Sequence, residues 1–261
     1  MNNSIHRCNI AFPGVETSQT AAAVVFLTLP QFSAEPMVLL IHNTEQPRGD
    51  KDGSCKPAYW GNPAGGIKAE ESPEKAAQRE LKQETGLASQ GTLALASWEH
   101  SFRFVEDEIL GGQRYERCNQ VMGALREGFV KQEYLRREVF TCAFRAQTEL
   151  SEALEEALAE RLWQVALSGS ELAFGPDLEA EELEGALILL LDNEKAKKFG
   201  IVEAASKPGK RQEIDKIGLF PLSLLRRIRD EHRKGFAWKH LLSIFRAASL
   251  APAVPVPVSV S

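Results

Sequence analysis

The sequence predicts an α/β fold, and three observations lead to it. Apolar, β-prone runs recur along the first half of the chain. One sharply delimited helix follows a glycine-rich turn, and two helical stretches then precede a last strand and a C-terminal helix.

From Ala21 to Leu29 the run AAAVVFLTL is apolar and β-prone, and Met37 to Ile41 repeats that character beyond Pro30 and Pro36, so two adjacent strands are expected. The polar segment HNTEQPRGDKDGSCKP reads as an exposed loop leading to Tyr59 and Trp60. Ser72 can cap free amides, Pro73 suits a first helical position and Gly86 is a natural left-handed stop, so a helix spans Pro73 to Thr85. Leu93 to Val105 holds two β-prone stretches, and Glu138 to Phe144 reads as another strand. Leu150, Leu154, Leu158 and Leu162 recur every fourth position, the stripe of an amphipathic helix. A second helix is expected from about Leu178 to Lys198, with Leu183, Leu187, Leu190 and Leu191 on its apolar side. Glu213 to Leu222 returns to strand ending at Pro221, and the stretch from Ser223 to Ala248 is a C-terminal helix weakened at Gly235.

These elements imply one domain over residues 1–247, with a core of about 21–145 and 211–247 and a helical insertion over about 146–210. The Pro-rich tail, 248–261, is expected to be disordered. The insertion's leucine stripe has three readings: cover for the core, which is preferred, a homodimer interface, or a cap on the active site.

Composition bounds the function. A chain of 261 residues, 43% hydrophobic and 26% charged, can bury a substantial core. With 36 acidic against 31 basic side chains, a net charge of −5 and a pI near 5.7, it offers no general attraction for nucleic acid. An acidic protein acting on a phosphate ester must neutralise charge locally, and a divalent cation does so. Cys8, Cys55, Cys118 and Cys142 form no Cys-x-x-Cys pair, which argues against a zinc site or a disulfide framework. The N-terminal stretch lacks a basic segment followed by an apolar one, and no run is long enough to cross a bilayer, so a cytoplasmic protein without a membrane partner is expected.

The chemistry concentrates in GNPAGGIKAEESPEKAAQRELKQETGL. Glu80, Gln83 and Glu84 stand at i, i+3 and i+4, so they share a helix face, while Ala77 and Leu81 lie on another that can pack on a sheet. Like charges one turn apart destabilise an isolated helix by roughly 0.2 to 0.5 kcal/mol, and a cation between them converts that cost into attraction. Carboxylate oxygens suit Mg²⁺ or Mn²⁺. The turn Pro63-Ala64-Gly65-Gly66 can bring bare backbone close to the same ion or to a phosphate.

This segment resembles the Nudix box, Gly-x5-Glu-x7-Arg-Glu-U-x-Glu-Glu-x-Gly-U with U a bulky aliphatic residue. Gly65, Glu71, Arg79, Glu80, Leu81, Glu84, Gly86 and Leu87 stand in register, and Gln83 replaces the first Glu of the Glu-Glu pair. The resemblance covers about Ala21 to Phe144 and Glu213 to Ala247 and implies an α/β/α sandwich with a mixed sheet. It implies a metal-dependent pyrophosphohydrolase that cleaves a nucleoside diphosphate linked to another moiety, with ADP-ribose or nucleotide-sugar substrates favoured. The implied metal set is Glu80 and Glu84, the Ala64 carbonyl and Gln83 as a weaker neutral ligand. Arg79 orients Glu80, Glu71 supports the loop before the helix, and the base is either a glutamate of the box or a late acid, for which Glu203 and Glu213 are the candidates. The alternative is a Nudix-fold module that binds a nucleotide without hydrolysing it.

Other residues receive plainer readings. Tyr59, Trp60, Trp98, Phe102, Phe104 and Tyr115 are read as core, and His42, His100, His232 and His240, which lack ligand spacing, as structural or surface residues. The run RRIRDEHRK is read as a solvated helix face.

Overall fold

The computed structural model describes residues 16–29, 33–44, 46–47, 55–56, 58–104, 135–168, 185–201, 213–231 and 235–250. Its main sheet contains β1 (Glu16–Leu27), β2 (Met37–Asn43), β5 (Tyr59–Gly61), β6 (Ala64–Gly66), β7 (Gln90–Phe104), β8 (Leu135–Gln147), β9 (Leu187–Leu190) and β10 (Ile214–Pro221). The short strands β3 (Gln46–Pro47) and β4 (Cys55–Lys56) form a separate ribbon within the polar loop. The main path runs β7-β8-β1-β2-β10-β9, with β5 on β2 and β6 on β1. β1 pairs parallel with β8 and antiparallel with β2, so the sheet is mixed as expected.

Alternation along β1 divides the core. Ala21, Ala23 and Val25 face one side, with α1 (Pro73–Thr85), α2 (Glu152–Ser168) and α3 (Asn193–Phe199). Ala22 and Val24 face the other, against α4 (Leu222–Asp230) and α5 (Trp238–Ala248). The result is an α/β/α sandwich with helices on both faces.

Two expectations need correction. The helix expected from Leu178 to Lys198 is instead β9 followed by α3, with part of the span outside the described residues. The apolar positions 186–189 are consecutive and buried, a pattern that suits a strand beside β10. Asp192 then caps a new helix by accepting from the amides of Glu194 and Lys195. The segment 146–210 is therefore not purely helical, since it supplies a strand to the main sheet. Within the described residues the leucine stripe covers the core: Leu154 and Leu158 are buried there and Leu150 packs against it. The other correction is at the C-terminus, where α5 extends to Ala248 and Arg145 donates to the carbonyls of Ala247 and Leu250, so the start of the expected tail is ordered by the sheet. Residues 251–261 lie outside the described residues. The expected break at Gly235 separates α4 from α5, and Gly235 has φ +84°.

No helix among the described residues is long and apolar enough to cross a membrane.

Candidate active site

Helix α1 begins where Ser72 Oγ accepts from the Lys75 amide at 3.2 Å, and it ends at Gly86, whose φ of +74° is left-handed. Gly86 is required twice over, because a Cβ there would also overlap the carbonyl of Phe199. Ala76, Ala77 and Leu81 are fully buried against the sheet and set the rotation of the helix. That rotation carries Glu80 and Glu84 into burial as well, at 7% and 8% exposure. Two carboxylates this buried need partners.

Their partners lie on the turn that carries β6. Glu84 Oε2 accepts from the Ala64 amide at 2.7 Å. The Glu80 carboxylate lies over Gly65 so closely that a Cβ there would collide with all three carboxyl atoms, and even Oε2, the farthest, would be 2.7 Å away. Only glycine permits that approach. β6 itself is anchored by pairing with β1, Ala22 opposite Ala64 and Ala21 opposite Gly65.

Arg79 links the parts. Its Nε donates to Glu71 Oε1 at 2.9 Å, and Nη2 donates to Glu71 Oε2 at 2.9 Å and to the Gly66 carbonyl at 2.7 Å. Its Nη1 donates to Glu80 Oε1 and, at 3.0 Å, to Gln83 Oε1. All five N–H groups of the guanidinium have acceptors, which fixes a planar fork more firmly than any single ion pair would. The Arg79 bonds, with help from the Lys68 amide, lower the Glu71 carboxyl from 4.5 to about 2. Glu71 reciprocally raises Arg79 above its ordinary value, with Glu80 adding to the effect. Both stay charged across the physiological range.

The structure thus brings Ala64, Glu71, Arg79, Glu80, Gln83 and Glu84 together. Glu213 is exposed beside the start of β10, where its carbonyl accepts from the Thr44 amide. Glu203 lies outside the described residues. Among the described residues no cluster of three or more His, Cys, Asp or Glu side chains could hold a metal. The donor set here is of another kind, two converging carboxylates beside a backbone turn. It fits a hard divalent cation that keeps water and substrate oxygens in its remaining positions.

Sequence reasoning missed a second set of contacts on the same turn. The Asn62 amide donates to His240 Nδ1 at 2.7 Å, and Asn62 Nδ2 donates to Ser243 Oγ at 3.0 Å and to the His240 carbonyl at 3.4 Å. Asn62, His240 and Ser243 are all buried. Contacts between residues 178 or more positions apart leave no periodic trace in one sequence. His42 is also buried and bonds Asp215 through Nδ1 at 2.6 Å. Burial alone would raise Asp215, yet the bond and charge of His42 bring its carboxyl below the ordinary value. Trp60, 2% exposed, belongs to the core as expected.

The fold and site define a three-layer α/β domain with a carboxylate-lined glycine turn suited to a divalent cation. Residues 18–119 match the family model of the NUDIX domain, so this segment of the chain is similar to a Nudix domain. No curated protein matches the chain. Among solved structures it is similar to a NUDIX hydrolase from Nitrosomonas europaea, at 14% identity over 89% of both chains and a TM-score of 0.40. It is also similar to a mutT/nudix family protein from Listeria innocua, at 16% identity over 89% of this chain and 92% of that one, with a TM-score of 0.37. A MutT NUDIX hydrolase from Burkholderia pseudomallei shares 13% identity over 88% of this chain and 98% of that one, with a TM-score of 0.37.

Proposed function

We propose that the chain is a Mg²⁺- or Mn²⁺-dependent pyrophosphohydrolase that cleaves a nucleoside diphosphate linked to another moiety, of ADP-ribose or nucleotide-sugar type. The observation that carries the reading is the convergence of the buried Glu80 and Glu84 carboxylates on the Ala64–Gly65 turn. In this reading Glu80, Glu84 and the Ala64 carbonyl hold the cation. Gln83 can join them only by exchanging its bond with Arg79. Arg79 aims the Glu80 carboxylate, and Glu71 holds Arg79 through a bidentate pair.

When bound, the cation supplies polarisation of the phosphoryl oxygens and a more acidic water. The protein's own residues do the remaining work. The backbone of β6 positions the turn, Arg79 prevents Glu80 from rotating away, and a carboxylate accepts the proton of the attacking water, with Glu203 and Glu213 as the late candidates. The acidic composition supports a small-molecule substrate over RNA and, with widely spaced cysteines of which Cys142 is a free buried thiol, a cytoplasmic setting.

A screen of dinucleotides, nucleotide sugars, deoxynucleotides and coenzyme A with Mg²⁺ or Mn²⁺ tests the proposal, with phosphate measured after phosphatase treatment. Turnover of an ADP-ribose or nucleotide-sugar substrate, lost in Glu84→Gln, is the expected result. Binding of a nucleotide sugar without turnover would favour a ligand sensor, and full activity in Glu84→Gln would remove the metal assignment.

A further inference from the structure

The Ala64–Gly65 turn touches α1 on one side, and the residues just before it are tied to the C-terminal segment on the other. The Trp60 amide donates to the Gly235 carbonyl at 2.8 Å, and the Ala237 amide donates to the Trp60 carbonyl at 3.0 Å. Two residues further along the chain, Asn62 gives its backbone N–H to His240 Nδ1 and its side-chain N–H groups to Ser243 Oγ and the His240 carbonyl. Ser243 Oγ in turn donates to the His240 carbonyl at 2.8 Å. A Cβ on Gly61 would lie 2.7 Å from His240 Nδ1, so the ring is pressed against this backbone with no room for a spacer. The Pro63 carbonyl then accepts from the Ala23 amide at 2.9 Å, and Ala64 meets Glu84. Residues 60 to 64 are therefore fixed at successive points, and these hydrogen bonds to the C-terminal segment precede Ala64.

We propose that His240, assisted by Ser243, is a positioning residue for the Ala64–Gly65 turn, acting through Asn62 to hold the Ala64 backbone where Glu80 and Glu84 converge. The inference rests on reading that turn as the metal-binding edge of the site. Because His240 Nδ1 accepts from an amide, the proton of the neutral ring sits on Nε2. The function required of residue 240 is thus an acceptor at the Nδ1 position, which Asn Oδ1 can reproduce and Leu cannot.

Two measurements on metal-free protein without substrate test this: Mn²⁺ binding followed by the electron spin resonance signal of free Mn²⁺, and amide hydrogen exchange at Asn62, Ala64 and Gly65. His240→Leu is expected to weaken Mn²⁺ binding about tenfold, the scale of losing a supporting contact to a metal ligand, and to speed exchange at all three amides. His240→Asn should stay within about threefold of wild type in both measurements. Ser243→Ala, a milder change, should weaken Mn²⁺ binding by about twofold to threefold and serves if the leucine variant does not fold. A merely structural role would lower the melting temperature of His240→Leu while leaving Mn²⁺ affinity and Ala64 exchange at wild-type values, and that result overturns the proposal. Wild-type protein that binds no Mn²⁺ would instead overturn the reading of the site, and exchange at Ala64 would then decide the positioning role by itself.

Discussion

The two sides of the Ala64–Gly65 turn are held by different chemistry. Toward α1 the contacts are ionic: Arg79 bridges Glu71 and Glu80 and spends all five N–H groups, while Glu84 accepts from the Ala64 amide. Toward α5 they are neutral, an asparagine, an imidazole nitrogen and a hydroxyl among buried apolar side chains. Charged groups this buried must be fully paired, and pairing gives them a fixed direction. Neutral bonds hold position without adding to the field. The electrostatics at the turn are therefore set from the α1 side and its placement from both, so substitutions on the two sides should fail in different ways.

The largest effect expected on the α1 side comes from Glu80→Gln. It keeps the shape of the side chain over Gly65 while removing the charge, and hydrolysis should fall by at least about 100-fold with the protein still folded. Steady-state rates beside a thermal melt check both halves of that statement, and a variant that loses its fold along with its activity would place Glu80 in the architecture instead. Arg79→Lys comes next. A lysine cannot serve Glu71, Glu80, Gln83 and the Gly66 carbonyl together, so activity should drop about 10- to 100-fold although the charge is retained.

These α1 effects were legible in the sequence because they depend on short spacings. Ser72, Pro73 and Gly86 bound the helix by cap chemistry, and the structure returns those boundaries residue for residue. Glu80 and Glu84 follow from helical periodicity. The leucines of 187–190 satisfy a loose helical count, and what makes the segment a strand is β10 lying beside it, a partner invisible locally. His240 is read from the sequence as structural or surface, and its particular partner is invisible for the same physical reason. A histidine without ligand spacing is usually structural, and only the fold brings it to Asn62.

A smaller effect separates fold from chemistry at the end of α1. Gly86→Ala places a side chain at φ +74° and against the Phe199 carbonyl, so it should cost at least about 1–2 kcal/mol in urea unfolding. Because Gly86 lies beyond Glu84, activity per folded molecule should change little. A loss of activity without a loss of stability would mean that the C-cap, more than the sheet, sets the rotation of α1.

The Glu71–Arg79 pair gives a pH signature. The folded carboxyl is lowered to about 2 from 4.5, so its contribution to stability is complete above the ordinary value and is lost as pH falls through the window from 4.5 to about 2. The stability difference between wild type and Glu71→Gln should therefore be constant from pH 5 to 7 and shrink below 4.5. A difference that already varies between pH 5 and 7 would mean another group titrates with the pair.

Gln83→Glu should have the smallest effect and bears most directly on the ionic side. Gln83 Oε1 accepts from Arg79, so the neutral amide completes the guanidinium's partners without adding a negative charge to the face shared by Glu80 and Glu84. A carboxylate there adds like-charge repulsion worth roughly 0.2 to 0.5 kcal/mol per pair in the metal-free protein. The same charge favours a divalent cation. The variant should therefore melt slightly earlier without metal, bind Mn²⁺ a few-fold more tightly, and retain or exceed wild-type turnover. Weaker Mn²⁺ binding would mean that Gln83 serves chiefly to complete Arg79, and that a third carboxylate competes with Glu80 for the guanidinium.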